Sequence, residues 1–411
     1  MADIRAIIKE ELNRRRGLLL FAPCWVARNF MQPGRRLKLD PRDYYAYGGA
    51  KGGIDERWFA STTPADNAEY TIPNEGLSYV VIGRANGYDQ ILFKDTIECA
   101  GGDILGEDVM RAHGGWKMFS KFFDNMGPIA HHVHLMDEHA ANVGMLGKPE
   151  GYYFPPQQNN VWNNFPHTYF GLNPGTTKAQ VAERLMKWDK YGDNNILDLS
   201  QAYRLELGTG WDVPPGVLHA PGSLLTYEPQ RASDVAIFFQ SQVEGRHNAR
   251  ATLEKDIPED KYYDYDYLID ILDWDKNVDP DFKANRFVAP VPVDDTALQE
   301  DGGYRENWVV YGSAAYSAKE LTVLPKRKAV VTDAEAYGFI TMQGRGTVNG
   351  NRIESPVMIR FGQLTADEMF VSRDAAVNGV VIENDSEFEE LVLLKHFGPG
   401  NPDAARLVKN R

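Results

Sequence analysis

Apolar residues along this chain recur mostly in short β-rich runs, and Gly and Pro residues separate one run from the next. Runs of this kind at near-regular spacing predict a β-sandwich or a β-barrel. Before residue 250 the predicted strands are 77–82, 116–123, 202–207, 224–227 and 235–239. From residue 308 the pattern resumes, with predicted strands at 329–332, 336–342, 346–348, 357–361 and 379–382.

Helical periodicity is confined to a few segments. Residues 3–12 place apolar side chains at the spacing of one helix face. A capping-box pattern at Thr177 opens a second helix, whose apolar face carries Val181, Leu185 and Trp188. Shorter predicted helices lie at 104–110 and 268–274.

The length of 411 residues favours two domains over one or three. Residues 251–306 differ from their surroundings because they are rich in Asp, Tyr and Pro. We therefore expect a first domain at 1–250, a connecting segment at 251–306 and a second domain at 307–411. Apolar residues make up 43% of the chain, which is enough for a sizeable core.

The net charge of −14 argues against a nucleic-acid or anionic-membrane partner, since the chain would repel either polyanion. A phosphorylated small molecule stays open as a substrate, because it needs only a local cluster of Arg and Lys. The two cysteines, Cys24 and Cys99, give no disulfide framework and are expected to be buried free thiols. The apolar run at 18–22 stops at Pro23 and is too short for a bilayer, so we predict a buried strand and a cytoplasmic protein.

Histidines are concentrated in two patterns, at 131–134 and at the end of 208–219. His132 and His134 stand two residues apart, so on a strand both side chains point to one side while His131 points away. His219 follows a rigid Pro-Pro-Gly turn that can place a third imidazole opposite the first two. Three neutral imidazoles inside a barrel suit Zn, Fe, Mn, Ni or Co.

A carboxylate would complete a first shell around such a metal and still leave positions open for a substrate. Two candidates are within reach in a barrel. Glu138 lies just past the His strand, and Glu150 lies on the next strand. The spacing alone leaves both open. The remaining histidines lack such a pattern and are expected to be ordinary core or surface residues: His113, His139, His167, His247 and His396.

Residues 208–219 match the motif G-(x)5-P-x-G-(x)2-H, and in this the chain resembles the cupin superfamily. Within that superfamily the chain is similar to the type I mannose-6-phosphate isomerases. The likeness implies a mainly β fold of two cupin barrels (double-stranded β-helix, or jelly-roll, barrels) with a few helices, the second barrel being degenerate and metal-free. The segments that carry the likeness are 56–61, 130–140, 147–150, 170–172 and 224–234.

The resemblance implies that His132, His134, Glu150 and His219 hold one divalent metal ion. General cupin spacing would choose Glu138 instead, whereas the family likeness selects Glu150. His132 stands where the family has Gln, which gives the three-His, one-Glu shell common among cupins. Zinc is the expected ion, and iron, manganese and nickel are the alternatives.

Two further positions are implied as catalytic. Lys148 occupies the place of a family active-site Lys, where an ammonium neutralises an enediolate or binds a phosphate. Glu228 lies in a segment that matches the family and is our candidate for proton transfer. Phe238 stands where the family has an active-site Arg, which puts phosphate recognition in doubt. The residues considered as substitutes for that Arg are Arg231, Arg246 and Arg250.

The predicted function is that of a metal-dependent aldose–ketose isomerase, which moves a proton through an enediol of a sugar or sugar phosphate. The alternatives are a cupin Fe(II) dioxygenase and a non-catalytic sugar-binding bicupin. The expected partner is a small-molecule carbohydrate, without nucleic acid or membrane, and the sequence does not indicate an oligomeric state. In the second half, Asp333-Ala334-Glu335 lies near the place where a His-x-His pair would be expected, so no metal is predicted there.

Overall fold

A computed structural model describes residues 2–159, 166–190 and 192–408, which form mainly antiparallel β-sheets. The earlier strands are β1 (Leu18–Ala22), β2 (Cys24–Arg28), β3 (Gly53–Phe59), β4 (Tyr79–Arg84), β5 (Gly87–Leu92), β6 (Met118–Phe123), β7 (His132–Val133), β8 (Glu150–Tyr153), β9 (His167–Phe170), β10 (Gln201–Arg204), β11 (Gly210–Val213), β12 (His219–Ala220), β13 (Thr226–Arg231), β14 (Ile237–Phe238), β15 (Gln242–Val243) and β16 (Arg246–His247). The later strands are β17 (Phe287–Val288), β18 (Val291–Pro292), β19 (Tyr304–Val310), β20 (Ser317–Val323), β21 (Lys328–Val331), β22 (Tyr337–Gln343), β23 (Arg345–Val348), β24 (Asn351–Glu354), β25 (Glu368–Val371), β26 (Val380–Asn384) and β27 (Leu391–Phe397).

Helices are interspersed with these strands along the chain. They are α1 (Ala2–Arg14), α2 (Phe93–Leu105), α3 (Glu107–His113), α4 (Asp137–Ala140), α5 (Lys178–Leu185), α6 (Tyr265–Asp270), α7 (Trp274–Asn277), α8 (Phe282–Arg286), α9 (Thr296–Gly302), α10 (Arg373–Asn378) and α11 (Pro402–Val408). Short 3-10 turns lie at Pro41–Asp43, Ala68–Tyr70, Ala141–Val143, Ile196–Leu199, Arg250–Thr252 and Glu259–Lys261. In the described ranges no helix has the length and apolar character needed to cross a membrane.

Three large sheets organise the chain. A nine-stranded sheet has the order β18-β19-β20-β27-β22-β25-β1-β4-β5, a seven-stranded sheet has β17-β11-β8-β13-β6-β3-β2, and a five-stranded sheet has β10-β9-β12-β7-β14. The nine-stranded sheet joins distant parts of the sequence, because β1 pairs with β25 on one side and with β4 on the other. A four-stranded sheet, β21-β26-β23-β24, and the hairpin β15-β16 complete the set.

Strand alternation in the seven-stranded sheet separates an apolar face from a charged face. In β6, Met118 and Phe122 pack in the large core, whereas Lys121 lies on the other side. In β8, Tyr153 likewise joins that core, and Glu150 points the opposite way. Because every residue of both strands is buried, the charged face must be covered as well. The five-stranded sheet covers it, and the candidate site lies between the two sheets.

Most predicted elements occur where the sequence placed them. The run at 18–22 is the buried strand β1. The capping box of Thr177 and Gln180 opens α5, and the side chains of the predicted apolar face are fully buried. Asn349 and Gly350 form the turn of the β23–β24 hairpin with positive φ values of 46° and 75°, a backbone that Asn and Gly tolerate best.

Three expectations were wrong in detail. The predicted helix at 104–110 is broken at Gly106, whose φ of 97° separates α2 from α3. The predicted strand at 357–361 makes only an isolated bridge from Ile359 to Leu39, and its Val357 is 94% exposed. The stretch 251–306 carries four helices, α6 to α9, where one short helix was expected. Of the two cysteines, Cys24 is buried and Cys99 only partly so.

Candidate metal centre and substrate pocket

Three imidazoles meet where the five-stranded sheet faces the seven-stranded one. His132 in β7 lies directly opposite His219 in β12, and their ring centroids are 4.1 Å apart. His134 follows β7, with its ring centroid 4.9 Å from that of His132 and 5.0 Å from that of His219. All three side chains are buried, and one nitrogen of each lies within 4.8 Å of the others.

Backbone carbonyl groups fix how these imidazoles are protonated. The Nδ1 atoms of His132, His134 and His219 lie 2.7, 2.6 and 2.9 Å from the carbonyl oxygens of Ala130, Val235 and Val217, respectively. Each carbonyl can only accept, which assigns the proton to Nδ1 and leaves a lone pair on Nε2. Burial lowers the pKa of His134 to about 3 and holds that of His132 well below its ordinary value, so both are neutral.

Glu150 faces the imidazoles from β8. Its Oε2 lies 2.9 Å from Nε2 of His134, and its Oε1 lies 3.1 Å from Nε2 of His219. The Tyr152 hydroxyl donates to Oε1 at 2.5 Å and so orients the carboxylate. Burial alone would raise the pKa of Glu150, but its contact with His134 and the positive charge of Lys148 outweigh burial, and the pKa lies well below its usual range.

This arrangement fits a divalent cation. A neutral imidazole with its proton on Nδ1 directs a lone pair at a carboxylate oxygen, and two acceptors about 3 Å apart repel unless a cation lies among them. The Lys148 ammonium is one such cation, 3.2 Å from Nε2 of His134 and 3.3 Å from Oε2 of Glu150, but Nε2 of His219 has no hydrogen-bond partner. Oε2 of Glu150 and Nε2 of His219 are buried and lack a hydrogen-bond partner. Buried polar atoms without partners are rare, and a shared metal ion would satisfy both. Among the described residues His132, His134 and His219 are grouped closely enough to hold one metal ion, and Glu150 faces two of them.

The other predicted candidates lie elsewhere. Glu138 is exposed on the short helix α4, so the geometry favours Glu150 as the carboxylate of the site. His131 points away from the centre, as expected, and its Nε2 lies 2.7 Å from the Ser200 hydroxyl. His131 and its neighbour His132 therefore point to opposite sides, as the two-residue period of a strand predicts.

A series of alternating charges runs from the imidazoles along the wall of the seven-stranded sheet. Lys148 places its Nζ 3.2 Å from Nε2 of His134 and 3.8 Å from Oε1 of Glu228. Glu228 in β13 is the register partner of Lys121 in β6, and the two side chains are 3.3 Å apart. Lys121 also lies 3.5 Å from Glu56 in β3. Antiparallel neighbours thus hold carboxylate and ammonium groups at fixed spacing.

The series continues toward the pocket mouth. Arg28 in β2 lies 3.3 Å from Glu56 and 3.0 Å from Asp234. Asp234 also accepts a hydrogen bond from the backbone N–H of Asp66 at 2.8 Å. Lys255 pairs with Asp66 at 2.9 Å. The wall therefore presents charged acceptors and charged donors in turn over its whole length.

Burial and neighbouring charges shift the proton affinities along this wall. Burial and the nearby charge of Glu150 raise the pKa of Glu228 to about 8, against the opposing effect of two lysines. Burial alone would lower the pKa of Lys121, but the carboxylates of Glu228 and Glu56 outweigh it, and the pKa lies above its ordinary value. Glu228 is thus a carboxyl of the wall that can exchange a proton near neutral pH.

The imidazoles, Glu150 and the charged wall open onto a cavity of about 360 Å³, a size within the range of small-molecule sites. The side opposite the charged wall is apolar. Phe238 in β14 is the register neighbour of His132, and its ring packs edge-on against Phe30 at 5.1 Å. The 3-10 turn Ala68–Tyr70 lies at the mouth.

Of the predicted catalytic residues, the structure brings both Lys148 and Glu228 to this cavity. The three arginines considered as substitutes for the residue at Phe238 do not line it. They pair elsewhere, Arg231 with Asp137 at 2.6 Å, Arg246 with Glu244 at 3.6 Å and Arg250 with Asp189 at 3.0 Å.

Sequence reasoning did not identify Arg28, Lys121 or Asp234 as site residues, and it used Glu56 only as part of a resemblance. Lys121 offered a signal, since it is the one charged residue of the buried strand Met118–Phe123. Such a charge in a buried strand needs a partner across the sheet. The partner becomes apparent only once the strand register is known.

Comparison with solved structures identifies the fold. The chain is similar to the mannose 6-phosphate isomerase from Bacillus subtilis (15% identity, TM-score 0.57), with 93% of this chain and 99% of that one covered. It is also similar to a mutant of the phosphomannose isomerase from Salmonella typhimurium (12% identity, TM-score 0.60), with 92% of this chain and 99% of that one covered. A zinc-bound mannose 6-phosphate isomerase is also similar, at 11% identity and a TM-score of 0.61, with 93% of this chain and 100% of that one covered.

The fold expected from the sequence motifs is thereby confirmed, since it is shared with solved structures of mannose 6-phosphate and phosphomannose isomerases. No protein-family model matches the chain, and a search of curated proteins finds no match.

Proposed function

We propose that this protein is a metal-dependent aldose–ketose isomerase, with one divalent ion held by His132, His134, Glu150 and His219. The observation that carries the proposal is the convergence of imidazole and carboxylate lone pairs on one buried point beside a cavity. Zinc is the ion we propose, since three nitrogens and one oxygen suit it and a structural neighbour is zinc-bound. The fold shared with mannose 6-phosphate isomerases supports the reaction class.

The reaction moves a proton between two adjacent carbons of the sugar through an enediol. The bound ion would supply positive charge that stabilises the negative oxygen developing in that step. Lys148, next to His134 and Glu150, holds an ammonium where it can donate to the same oxygen. Tyr152 keeps Glu150 in place, and the apolar side at Phe238 limits the entry of water.

Glu228 is the proposed proton-transfer group. A group that takes up and returns a proton works best when its pKa lies near the working pH, and that of Glu228 is about 8. Lys121 and Lys148 flank its carboxylate at 3.3 and 3.8 Å and so hold it toward the cavity. The charged wall also disfavours the alternative of a dioxygenase for an apolar aromatic substrate. Such a substrate would displace water from these charges without replacing the lost hydrogen bonds.

For the chain as a whole we propose the division stated above. Residues 1–250 form the metal-binding cupin domain, 251–306 connect, and 307–411 form a second barrel without metal. Strands β1, β4 and β5 add to the sheet of the second part, since β1 pairs with β25. A cytoplasmic location stays a prediction.

The proposal is tested by metal analysis of the purified protein, followed by incubation with aldoses in deuterated water. We expect one equivalent of metal and incorporation of solvent deuterium at C2, measured by NMR. Glu228→Gln should reduce this exchange by about 100-fold. Glu320→Gln is the matched control, because Glu320 accepts from Tyr153 on the far side of the sheet and should leave exchange intact. Absence of exchange with every sugar would contradict an isomerase, and oxygen consumption with bound iron would support the dioxygenase.

A further inference from the structure

Every cation that lines the cavity in the described part of the chain already has carboxylate partners. These pairs are Arg28 with Glu56 and Asp234, Lys121 with Glu56 and Glu228, Lys148 with Glu150 and Glu228, and Lys255 with Asp66 and Asp256. Seven carboxylates line the cavity, against four Lys or Arg side chains. Acidic side chains therefore outnumber basic ones along the lining, and no basic side chain of the described lining is left without an acidic partner.

A phosphate ester carries about two negative charges at neutral pH and is normally held by Arg or Lys with charge to spare. Here a phosphate would have to displace a carboxylate that is held in place. Asp234 is held firmly by Arg28, whose side chain is 7% exposed. The Arg28 guanidinium contacts both oxygens of Asp234, at 3.0 and 3.2 Å. Breaking such a buried pair is unfavourable, because one charge is left unpaired.

The other sides of the cavity do not supply the missing charge. Phe238 and Phe30 form an apolar surface opposite the wall. At the mouth lie Asp66 and the exposed Glu69. Carboxylates at an entrance repel an approaching dianion and leave a neutral molecule unaffected.

The same wall is well suited to hydroxyl groups. Each hydroxyl donates one hydrogen bond and accepts others, so a polyhydroxyl chain matches a row in which carboxylates and ammonium groups alternate. Oε1 of Glu228 is buried and forms no hydrogen bond, although the ammonium groups of Lys121 and Lys148 lie 3.3 and 3.8 Å away, so it can accept a hydrogen bond from such a hydroxyl.

We propose that the substrate is a neutral, unphosphorylated sugar, and that the pairing of Arg28 with Asp234 excludes phosphate esters from the cavity. The inference rests on the proposed isomerase function for the reaction, but it concerns what the cavity binds. It differs from the sugar phosphates named for the structural neighbours.

Binding is measured by calorimetry on the zinc-loaded protein and separately on the metal-free protein. The probes are glucose, mannose, xylose and lyxose, together with glucose 6-phosphate and mannose 6-phosphate. We expect at least one neutral sugar to bind. Both phosphate esters should bind at least 10-fold more weakly than that sugar. Tighter binding of an ester than of every neutral sugar overturns the inference, as does failure of every neutral sugar to bind.

Asp234→Asn tests the mechanism of exclusion. It keeps the shape of the side chain, removes one negative charge and leaves Arg28 with Glu56 as its remaining carboxylate. Inorganic phosphate should then bind at least threefold more tightly than to the unaltered protein. Asp212→Asn is the matched control, since Asp212 pairs with Arg286 at 2.8 Å outside the cavity lining and should not change phosphate affinity. Equal phosphate affinity in Asp234→Asn and the unaltered protein contradicts the assigned role of the pair.

Deuterium exchange separates the two proposals. Exchange with a phosphate ester alone retains the isomerase and overturns the neutral substrate. Binding of neutral sugars without exchange retains the substrate class and overturns the isomerase.

Discussion

The two halves of the chain each bury a cluster of lysines and carboxylates, and the clusters differ in whether all their acceptor atoms are hydrogen-bonded. In the second half Lys395 lies 2.5 Å from Asp333 and 2.7 Å from Glu306, and Lys319 lies 2.6 Å from Asp333. Two positive and two negative groups thus neutralise each other. Lys319 also lies 4.5 Å from the ring centroid of Trp308, which adds a cation–π contact.

In the first half the corresponding cluster contains atoms without partners. Oε2 of Glu150, Nε2 of His219 and Oε1 of Glu228 are buried and accept no hydrogen bond. Both clusters are equally shielded from water, so burial does not distinguish them. A buried cluster whose acceptors are all hydrogen-bonded serves packing, whereas buried acceptors that converge without forming hydrogen bonds indicate a ligand.

The largest expected effect comes from removing the carboxylate that faces the imidazoles. Glu150→Gln should weaken zinc binding by about 100-fold or more, since loss of a ligand exceeds the effect of a supporting group. Isomerase activity should fall by about 1,000-fold. The check is metal content after dialysis against a competing chelator, together with deuterium exchange.

Glu306→Gln is the matched change in the second cluster and should leave zinc content unaltered. Equal zinc loss in both variants would remove the distinction between the two clusters.

The next effect concerns stability. Asp333→Asn leaves Lys319 and Lys395 buried with one fewer carboxylate, and breaking such a buried pair lowers the free energy of unfolding by about 3–5 kcal/mol. Urea denaturation measures it. Asp301→Asn, on an exposed residue of α9, is the control and should change stability little. A loss below 1 kcal/mol would mean that the cluster is not the packing element described here.

A smaller effect is expected at Lys148. Lys148→Met removes the ammonium beside Glu150 and should lower activity by about 100-fold while the zinc content stays near one equivalent. Lys395→Met, in the second cluster, should instead lower stability and leave the activity of the folded protein intact. Loss of zinc together with activity in Lys148→Met would instead assign Lys148 a role in organising the metal ligands.

How much of the difference between the two clusters can be predicted from the sequence depends on how far apart in the chain the interacting residues lie. The two-residue period of a strand is local, and it correctly brought His132 and His134 together and turned His131 away. The pairing of Glu228 with Lys121 joins strands distant in the sequence, and no local pattern encodes the register. Lys121 therefore went unidentified although its own strand was predicted.

The fold shows the same limit. Local signals placed β1, the capping box of α5 and the β23–β24 hairpin. The pairing of β1 with β25, which adds an early strand to a late sheet, depends on contacts that no spacing reveals. The apolar run at 357–361 misled because Val357 and Met358 are exposed on a loop, and hydrophobic character alone does not make a strand.

The smallest expected effect is on the pH dependence of stability. It concerns His396, the single buried imidazole of the second half, in contrast to the three grouped imidazoles of the first. His396 accepts a hydrogen bond from Tyr227 at Nδ1, and burial lowers its pKa to about 3. The unfolded chain, with an ordinary pKa of 6.5 for this group, binds a proton that the folded chain does not. Stability from this group is therefore complete above pH 6.5 and is lost as the pH falls toward 3.

Between pH 7.5 and 5.5 the unaltered protein should lose about 1.4 kcal/mol more of its unfolding free energy than His396→Gln, which keeps an acceptor for Tyr227 but does not titrate. Urea denaturation at the two pH values measures this difference. His247→Gln, on an exposed hairpin, is the control and should follow the unaltered protein. The same loss in His396→Gln as in the unaltered protein would show that His396 is protonated in the folded state, and that burial alone does not keep an imidazole of this fold neutral.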